Sequence, residues 1–473
     1  MIQQPIQRYD TRALAIFKLS ASTESDQFEC NDAPSVQPLV EDMVGGITSI
    51  LVTLGIVPYI KAPRGGAAEH IGRVLDERLR TMLKSRGNPF SDATRVIQRP
   101  LLCFFDRNFE LAAAVQHAWA YAPLVHDVLG LKLNRVMFFQ EGDKPAAEQK
   151  KSYEVDSDID FFWRENIGSP FPKVAEEVEV QLKRYKDALE EVNKKMSEEV
   201  DVDGGNTEHL TSAISSVPEL TENKRMIDKH TNIATALLGK IKARTLDQFH
   251  SMEEEFITNK VSKDKLLEMI SPAAKGTAED KLRLAIVYVL ASETNPAPAD
   301  YETIEGALRT CGSDIEPLSY VRKMRSHNLT SGGALNSVSS QGNFLEWADK
   351  IYGQGISAVT KGVKNLLAGE RHFAITRAVE ALSEGKQGTG TENFLVLDPK
   401  APKGSSSSDR VMGPFKDIIV FMIGGGNYLE YISLQAFANQ CSPKKNIVYG
   451  ATEVVSGTDF LDQLRQLGSK TQG

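Results

Sequence analysis

No apolar run in this 473-residue sequence is long and clean enough to cross a bilayer. The longest, Met43 to Ile60, is broken by Gly45, Gly46, Thr48, Ser49, Thr53, Gly55 and Pro58, and reads as a buried helix capped by Gly55 and followed by a strand. Cysteine is scarce: Cys30, Cys103, Cys311 and Cys441 show no C-x-x-C spacing, which excludes a dense disulfide frame and points to a reducing cytosol. Positive charge is also short, with 55 Lys and Arg against 63 Asp and Glu, so no basic field is offered to nucleic acid. The opening residues MIQQPIQRYD have neither a basic nor an apolar signal region, so no secretory signal is predicted. The motifs G-x-x-x-x-G-K-[ST], G-x-S-x-G and H-E-x-x-H are all missing, which removes the usual phosphate lysine, elbow nucleophile and zinc pair.

What is present is ample core, 41% hydrophobic residues in a chain long enough for about three domains. Short apolar runs at Ala13–Leu19, Val57–Lys61, Leu101–Phe105, Ile418–Ile423 and Ile447–Tyr449 alternate with helical patterns. That alternation predicts an α/β fold, a parallel sheet covered on both faces. Its strands lie before residue 140 and after residue 415, so a large, mainly helical insertion must split the sheet domain. The division expected is 1–140 for the first part of the α/β domain, 141–400 for the insertion with a mobile loop about 328–367, and 401–473 for the completion. Within the insertion, Val174, Val178, Leu182, Tyr185, Leu189 and Val192 recur at steps of three and four and form one apolar stripe. Glu198–Asn206 and Ser383–Arg410 read as polar linkers.

Two stretches could carry chemistry. Residues 101–129, LLCFFDRNFELAAAVQHAWAYAPLVHDVL, read as a strand ending in Asp106-Arg107-Asn108 and running directly into helix, the way doubly wound sheets place polar groups at their carboxyl edge. His117, His126 and Asp127 with Asp106 are either an acid/base group without a nucleophile or caps and buried hydrogen bonds, with Arg107 pairing a carboxylate to staple strand to helix. Gly424-Gly425-Gly426 lies between a strand and a helix at Tyr428–Ala438, where a phosphate-binding turn would sit; it is not G-x-G-x-x-G, and the plainer reading is a tight turn needing positive φ.

The 101–129 stretch closely resembles the signature of the SM (Sec/Munc-like) family, which guides SNARE assembly in vesicle fusion. Leu51–Pro58, Gly168-Ser169-Pro170-Phe171-Pro172, Phe421–Tyr428 and Val448-Tyr449-Gly450-Ala451-Thr452-Glu453 resemble further family motifs in the family's order, and nearly the whole chain is covered. They are most similar to the ER–Golgi, Sly-like branch. Glu110 stands where the family usually has Asp, and Ala122 where it usually has Gln. The resemblance implies a non-enzymatic SNARE-assembly regulator, monomeric and without cofactor, cytoplasmic and peripheral on ER–Golgi membranes. Its partners would be a Golgi syntaxin and other SNAREs, and Asp106, Arg107, His117, Trp119, Tyr121 and Asp127 would form its structural motif. The family normally opens with a further α/β domain, and the resemblance implies that this sequence begins inside the second, as a truncated gene model, an isoform or a fragment. The rival readings are an SM protein of another compartment and a nucleotide-using α/β enzyme.

Two segments are candidate binding elements. Phe344, Trp347, Ile351, Val359 and Val363 share one helical face, with Lys361 and Lys364 opposite, after a Ser/Gly-rich tether. This amphipathic helix either packs on its own domain or meets a membrane, and the resemblance implies a lid and membrane-contacting helix. Pro218 interrupts a helical pattern, Leu210–Val217 before it and Leu220–Lys242 after it, and marks a turn or a switch. Ser216, Val217, Pro218, Glu219 and Leu220 resemble the hinge of the helical hairpin on which the family aligns SNARE helices, a helix-in-groove mode of recognition.

Overall fold

All six residues of Leu101–Asp106 are buried, which a strand achieves only when helices cover both faces of its sheet. This strand anchors the structure, a computed structural model describing residues 36–91, 98–140, 149–197, 207–258, 262–326, 372–386, 389–402 and 413–469. In chain order the elements begin α1 (Val36–Leu54), β1 (Tyr59–Ala62), α2 (Ala67–Lys84), β2 (Leu101–Asp106), α3 (Ala112–Val115), α4 (Tyr121–Leu129), β3 (Leu131–Lys132), β4 (Arg135–Gln140) and β5 (Gln149–Glu154). There follow α5 (Phe161–Asn166), α6 (Phe171–Ser197), α7 (Thr207–Arg244), α8 (Leu246–Ile257), α9 (Lys263–Met269), α10 (Ala278–Ala291), α11 (Pro298–Thr310) and α12 (Glu316–Ser326). The last are α13 (Ala374–Glu384), β6 (Leu395–Leu397), β7 (Asp417–Ile423), α14 (Tyr428–Gln440), β8 (Asn446–Ala451) and α15 (Gly457–Ser469). Among the described residues, those up to Gln116, 255–271 and from Lys281 onward form one compact unit, and those of 117–254 and 272–280 form a second.

The first unit is an α/β sheet in the order β6-β1-β2-β7-β8. β1, β2, β7 and β8 run parallel, and β6 closes one edge antiparallel to β1. The two faces separate by the strand period: Leu102 and Phe104 pack with Val44, Leu51, Ile71 and Leu75 of α1 and α2, while Leu101, Cys103 and Phe105 pack with Val379, Leu382, Leu434 and Phe437 of α13 and α14. α1 ends as the sequence predicts, at Gly55 with φ of 64°, where Gly55 and Ile56 N–H close on Val52 and Leu51 carbonyls.

The expected strand at Ala13–Leu19 lies outside the described residues, and the fifth strand of the observed sheet is the antiparallel β6. Three further expectations about this unit are corrected. The span Ser383–Arg410 is not wholly a linker, because it contains the end of α13 and all of β6. The sheet is rejoined upstream of residue 401, since Ile375, Val379, Leu382 and Phe394 belong to its core. The residues after Asp106 do not enter one helix either: a 3-10 turn at Arg107–Phe109 and the four-residue α3 come first, and Gln116 is extended.

The second unit carries a three-stranded antiparallel sheet, β3-β4-β5, which a mainly helical insertion did not predict. Its inner face is Val136 and Phe138, both buried. α6 and α7 are the long helices of this unit and lie against one another. Pro218 does not end a helix: α7 runs unbroken through it for 38 residues. A proline removes one hydrogen bond and crowds the turn before it, at about 3 kcal/mol. The half of α7 beyond it is secured by buried Ile227, Ile233, Leu237 and Ile241, so tertiary packing overrides the local break. Among the described residues, no helix is long and apolar enough to cross a membrane.

Candidate functional site

At the carboxyl edge of the sheet two turns link a strand to a helix through glycines, the placement that binds phosphates in nucleotide-using α/β proteins. Both are filled by the chain's own side chains. At the first, the Asp106 carboxylate accepts from the Ala68 N–H at the start of α2, 2.9 Å away, and a Cβ on Gly66 would fall 2.5 Å from Asp106 Oδ2. The aspartate thus occupies the place of an anion. At the second, Gly424 and Gly425 have φ of 89° and 100°, and their N–H groups both donate to the Thr452 hydroxyl. A Cβ on Gly426 would meet the Tyr449 hydroxyl at 2.3 Å. The Asn427 side chain caps α14 by accepting from Glu430 N–H, and it donates to the Ala113 carbonyl.

Below that turn Arg107 forks onto Glu430 at 2.6 and 3.0 Å and also reaches the Gly425 and Glu110 carbonyls. The Tyr449 hydroxyl donates to the same Glu430, 2.6 Å away, and burial, with Glu430 adding, pushes its phenol well above the usual range. Arg107 and Glu430 are both fully buried. A bidentate buried pair of this kind staples β2 to α14, and removing either partner strands a charge at about 3–5 kcal/mol.

His117 opens the second unit and stands between two carboxylates, with Nδ1 2.7 Å from Glu253 and Nε2 3.1 Å from Asp280. Its N–H donates to Glu253, and Asp280 also accepts from Arg244 and from Thr277 N–H. Burial opposes the Asp280 charge, but His117 and Arg244 hold its carboxyl far below the usual range. Asp127, on α4, adds its field to Arg244. Trp119 stacks on His250, centroids 5.8 Å apart. The Tyr121 hydroxyl lies 2.9 Å from His230 Nδ1, and His230 Nε2 lies 2.9 Å from Asp160, which Lys229 also meets. Burial drives His230 below its ordinary value, against the pull of Asp160, and the tautomer carrying its proton on Nε2 accepts from Tyr121 and donates to Asp160. Despite burial, His230 and Lys229 hold Asp160 down to about 2. Backbone bonds add a second lock, from Tyr121 N–H to Ser169 and from Phe171 N–H to Trp119, joining motifs about fifty residues apart.

The motif residues are therefore spent on one another and on partners far along the chain. Asp106 and His117 answer to different partners, and neither presents a nucleophile with a base. Of the partners, Glu253, Arg244 and His230 carry no local signal in the sequence. Asp160, Asp280 and Glu430 do mark helix starts, Asp160 as the cap ahead of Phe161, Asp280 in a reciprocal box with Thr277 and Glu430 three residues after the Asn427 cap, and Tyr449 lies within the Val448–Glu453 motif, but none of these signals names its distant partner. Among the described residues, no group of three or more His, Cys, Asp or Glu could hold a metal ion.

The α6–α7 pair has the opposite character. Along the predicted stripe, Val174 and Val178 are buried, Leu182, Tyr185 and Val192 are half-exposed, and Leu189 is exposed. Pro218 and Glu219 are exposed and Leu220 half-buried, while Ser216 and Val217 continue the backbone of α7. The segment 344–367, with Phe344, Trp347, Ile351, Val359, Lys361, Val363 and Lys364, lies outside the described residues.

The mainly parallel sheet closes its glycine turns with its own side chains, and the comparison with known sequences gives the class: the chain belongs to the Sec1 family, which its residues 13–463 match. Within that family it is similar to the Sly1 proteins. It is 45% identical over 467 residues to the SEC1 family transport protein SLY1 of Arabidopsis thaliana, covering 95% of this chain and 73% of that one. It is 36% identical over 460 residues to the human Sec1 family domain-containing protein 1, covering 92% and 71%. Its fold matches crystalline Sly1p in complex with an N-terminal peptide of Sed5p, with a TM-score of 0.74 and 27% identity, over 98% of this chain and 72% of that one.

Proposed function

We propose that this chain is a non-catalytic regulator that binds syntaxin-type SNAREs and promotes SNARE-complex assembly and vesicle fusion in ER–Golgi transport, working in the cytoplasm and peripherally on those membranes. The observation that carries the reading is the apolar stripe of α6, which is covered at Val174 and Val178 and loses its cover toward Leu189. An amphipathic helix lacking part of its partner is what helix-in-groove recognition requires. Aligning two SNARE helices there would lower the nucleation barrier of a four-helix bundle. Likeness to Sly1 proteins favours ER–Golgi over other compartments, and the filled glycine turns argue against a nucleotide-using enzyme. In this proposal Ser216–Leu220 set the reach of α7, and residues 344–367 contact the membrane.

The test is fusion of liposomes carrying ER–Golgi SNAREs, with and without the purified chain. Wild type should accelerate lipid mixing. Leu189→Asp, at an exposed position, should keep the melting curve and lose most of the acceleration; equal acceleration by the variant would remove the stripe from the mechanism.

A further inference from the structure

The small sheet of the second unit presents an outer face that its fold does not need. Along β4, Val136 and Phe138 point inward, while Arg135, Met137 and Phe139 are exposed, Met137 by 47% and Phe139 by 64%. Phe139 lies opposite exposed Lys150 of β5. At the other end Lys132 and Arg135 are direct cross-strand partners on this face. Like charges so placed repel, and among the described residues of this face Glu154, opposite Arg135, is the one carboxylate set against Lys132, Arg135 and Lys150.

The turn joining β3 to β4 adds an independent oddity. Leu133 and Asn134 have φ of 50° and 59°, the two-residue hairpin geometry that favours Asn or Gly at both positions. A leucine in that left-handed region is strained, and this one is 54% exposed. Strain that brings no core contact is retained where the side chain meets something outside the fold. The arrangement is a protruding apolar tip flanked by Lys132 and Arg135, continued by Met137 and Phe139 with Lys150 at their side. A partner helix would need a trough, and a tight turn offers none. A tip of leucine between two cations fits the headgroup layer of an anionic bilayer, where apolar burial and attraction to phosphate act together.

We propose that the β3–β4 hairpin is a lipid-contacting surface that seats on anionic membranes, with Leu133 entering the interface and Lys132, Arg135 and Lys150 meeting lipid phosphates. It is separate from the segment at 344–367. The experiment is flotation of the full chain with phosphatidylcholine vesicles, with and without phosphatidylserine. Wild type should float with the anionic vesicles, and higher salt should weaken it. Leu133→Asn suits the left-handed turn, so it should melt no lower than wild type, yet lose about fivefold or more in partition. Lys132→Gln and Arg135→Gln should each lose about fivefold. The same losses should persist in a Trp347→Ala background. Equal flotation by Leu133→Asn and the two Gln variants would overturn the proposal, as would equal binding to neutral vesicles. Wild type that ignores vesicles but binds an acidic peptide through these residues would overturn it in favour of a protein contact.

Discussion

The carboxyl edge of the large sheet and the α6–α7 pair use polar and apolar residues in opposite ways. At the sheet edge, Arg107, Glu430, Asn427 and Tyr449 are bonded to one another, Asp106 accepts from the Ala68 N–H, and each glycine turn is closed by a side chain that a ligand would have to displace. Along α6, cover thins from buried Val174 and Val178 to half-exposed Tyr185 and Leu189, the latter 37% exposed. Here the region that looks catalytic in sequence holds the fold together, and the region that looks like plain helix is left available.

That contrast can be broken from either side. The largest effect expected is at the sheet: Glu430→Ala leaves Arg107 buried without its partner and should lower stability by about 3–5 kcal/mol in a urea titration, with no gain or loss of any catalytic activity. Pro218→Ala restores an amide and relieves the ring's crowding in α7, worth up to about 3 kcal/mol, and should strengthen capture of a vesicle SNARE in a pull-down. Unchanged capture by a well-folded variant would leave Pro218 without a switching role.

A smaller effect is set by pH in the second unit. Burial holds His230 below its ordinary 6.5, so the unfolded chain takes up that proton first. Stability from this group is therefore present above pH 6.5 and falls as pH drops through it, by up to about 1.4 kcal/mol per unit. Asp160, held near 2, acts in the same sense at lower pH, its contribution being lost as pH falls from its ordinary 3.8 toward 2. His230→Gln should flatten the upper part of the profile in thermal melts between pH 7 and 5. The smallest effect expected is with nucleotide: ATP or GTP should give only heats of dilution in calorimetry, because Asp106 and the Thr452–Tyr449 pair hold the two turns. Stoichiometric binding abolished by changing Gly424–Gly426 would restore the enzyme reading.

The strands were legible in the sequence because buried parallel strands are short, bounded apolar runs, as at Leu101–Phe105 and Ile418–Ile423. The three-residue β6 was not, since so short a run is lost among the Gly, Ser and charge of its surroundings. β3 to β5 were missed because β4 reads Arg-Val-Met-Phe-Phe-Gln, with apolar residues on both faces and no alternation to mark a half-exposed strand. At the site, the sequence pointed to Asp106, Arg107 and His117 but not to what they bind, because Glu430 lies 323 residues from Arg107 and Asp280 163 from His117, and the helix-start patterns that hold them say nothing of those partners. Pro218 misled for a related reason: propensity speaks for one turn, whereas the packing of Ile233 and Leu237 speaks for the whole helix.

The most direct test is calorimetric titration of a vesicle SNARE helix into wild type, Leu189→Asp and a sheet-edge variant, Glu430→Gln, under conditions where all three are folded. Binding should be weakened at least about tenfold by Leu189→Asp, since a buried leucine and an introduced charge both count against it, and left within about twofold by Glu430→Gln. The reverse order, with the sheet edge controlling affinity and the α6 stripe indifferent, would contradict the account.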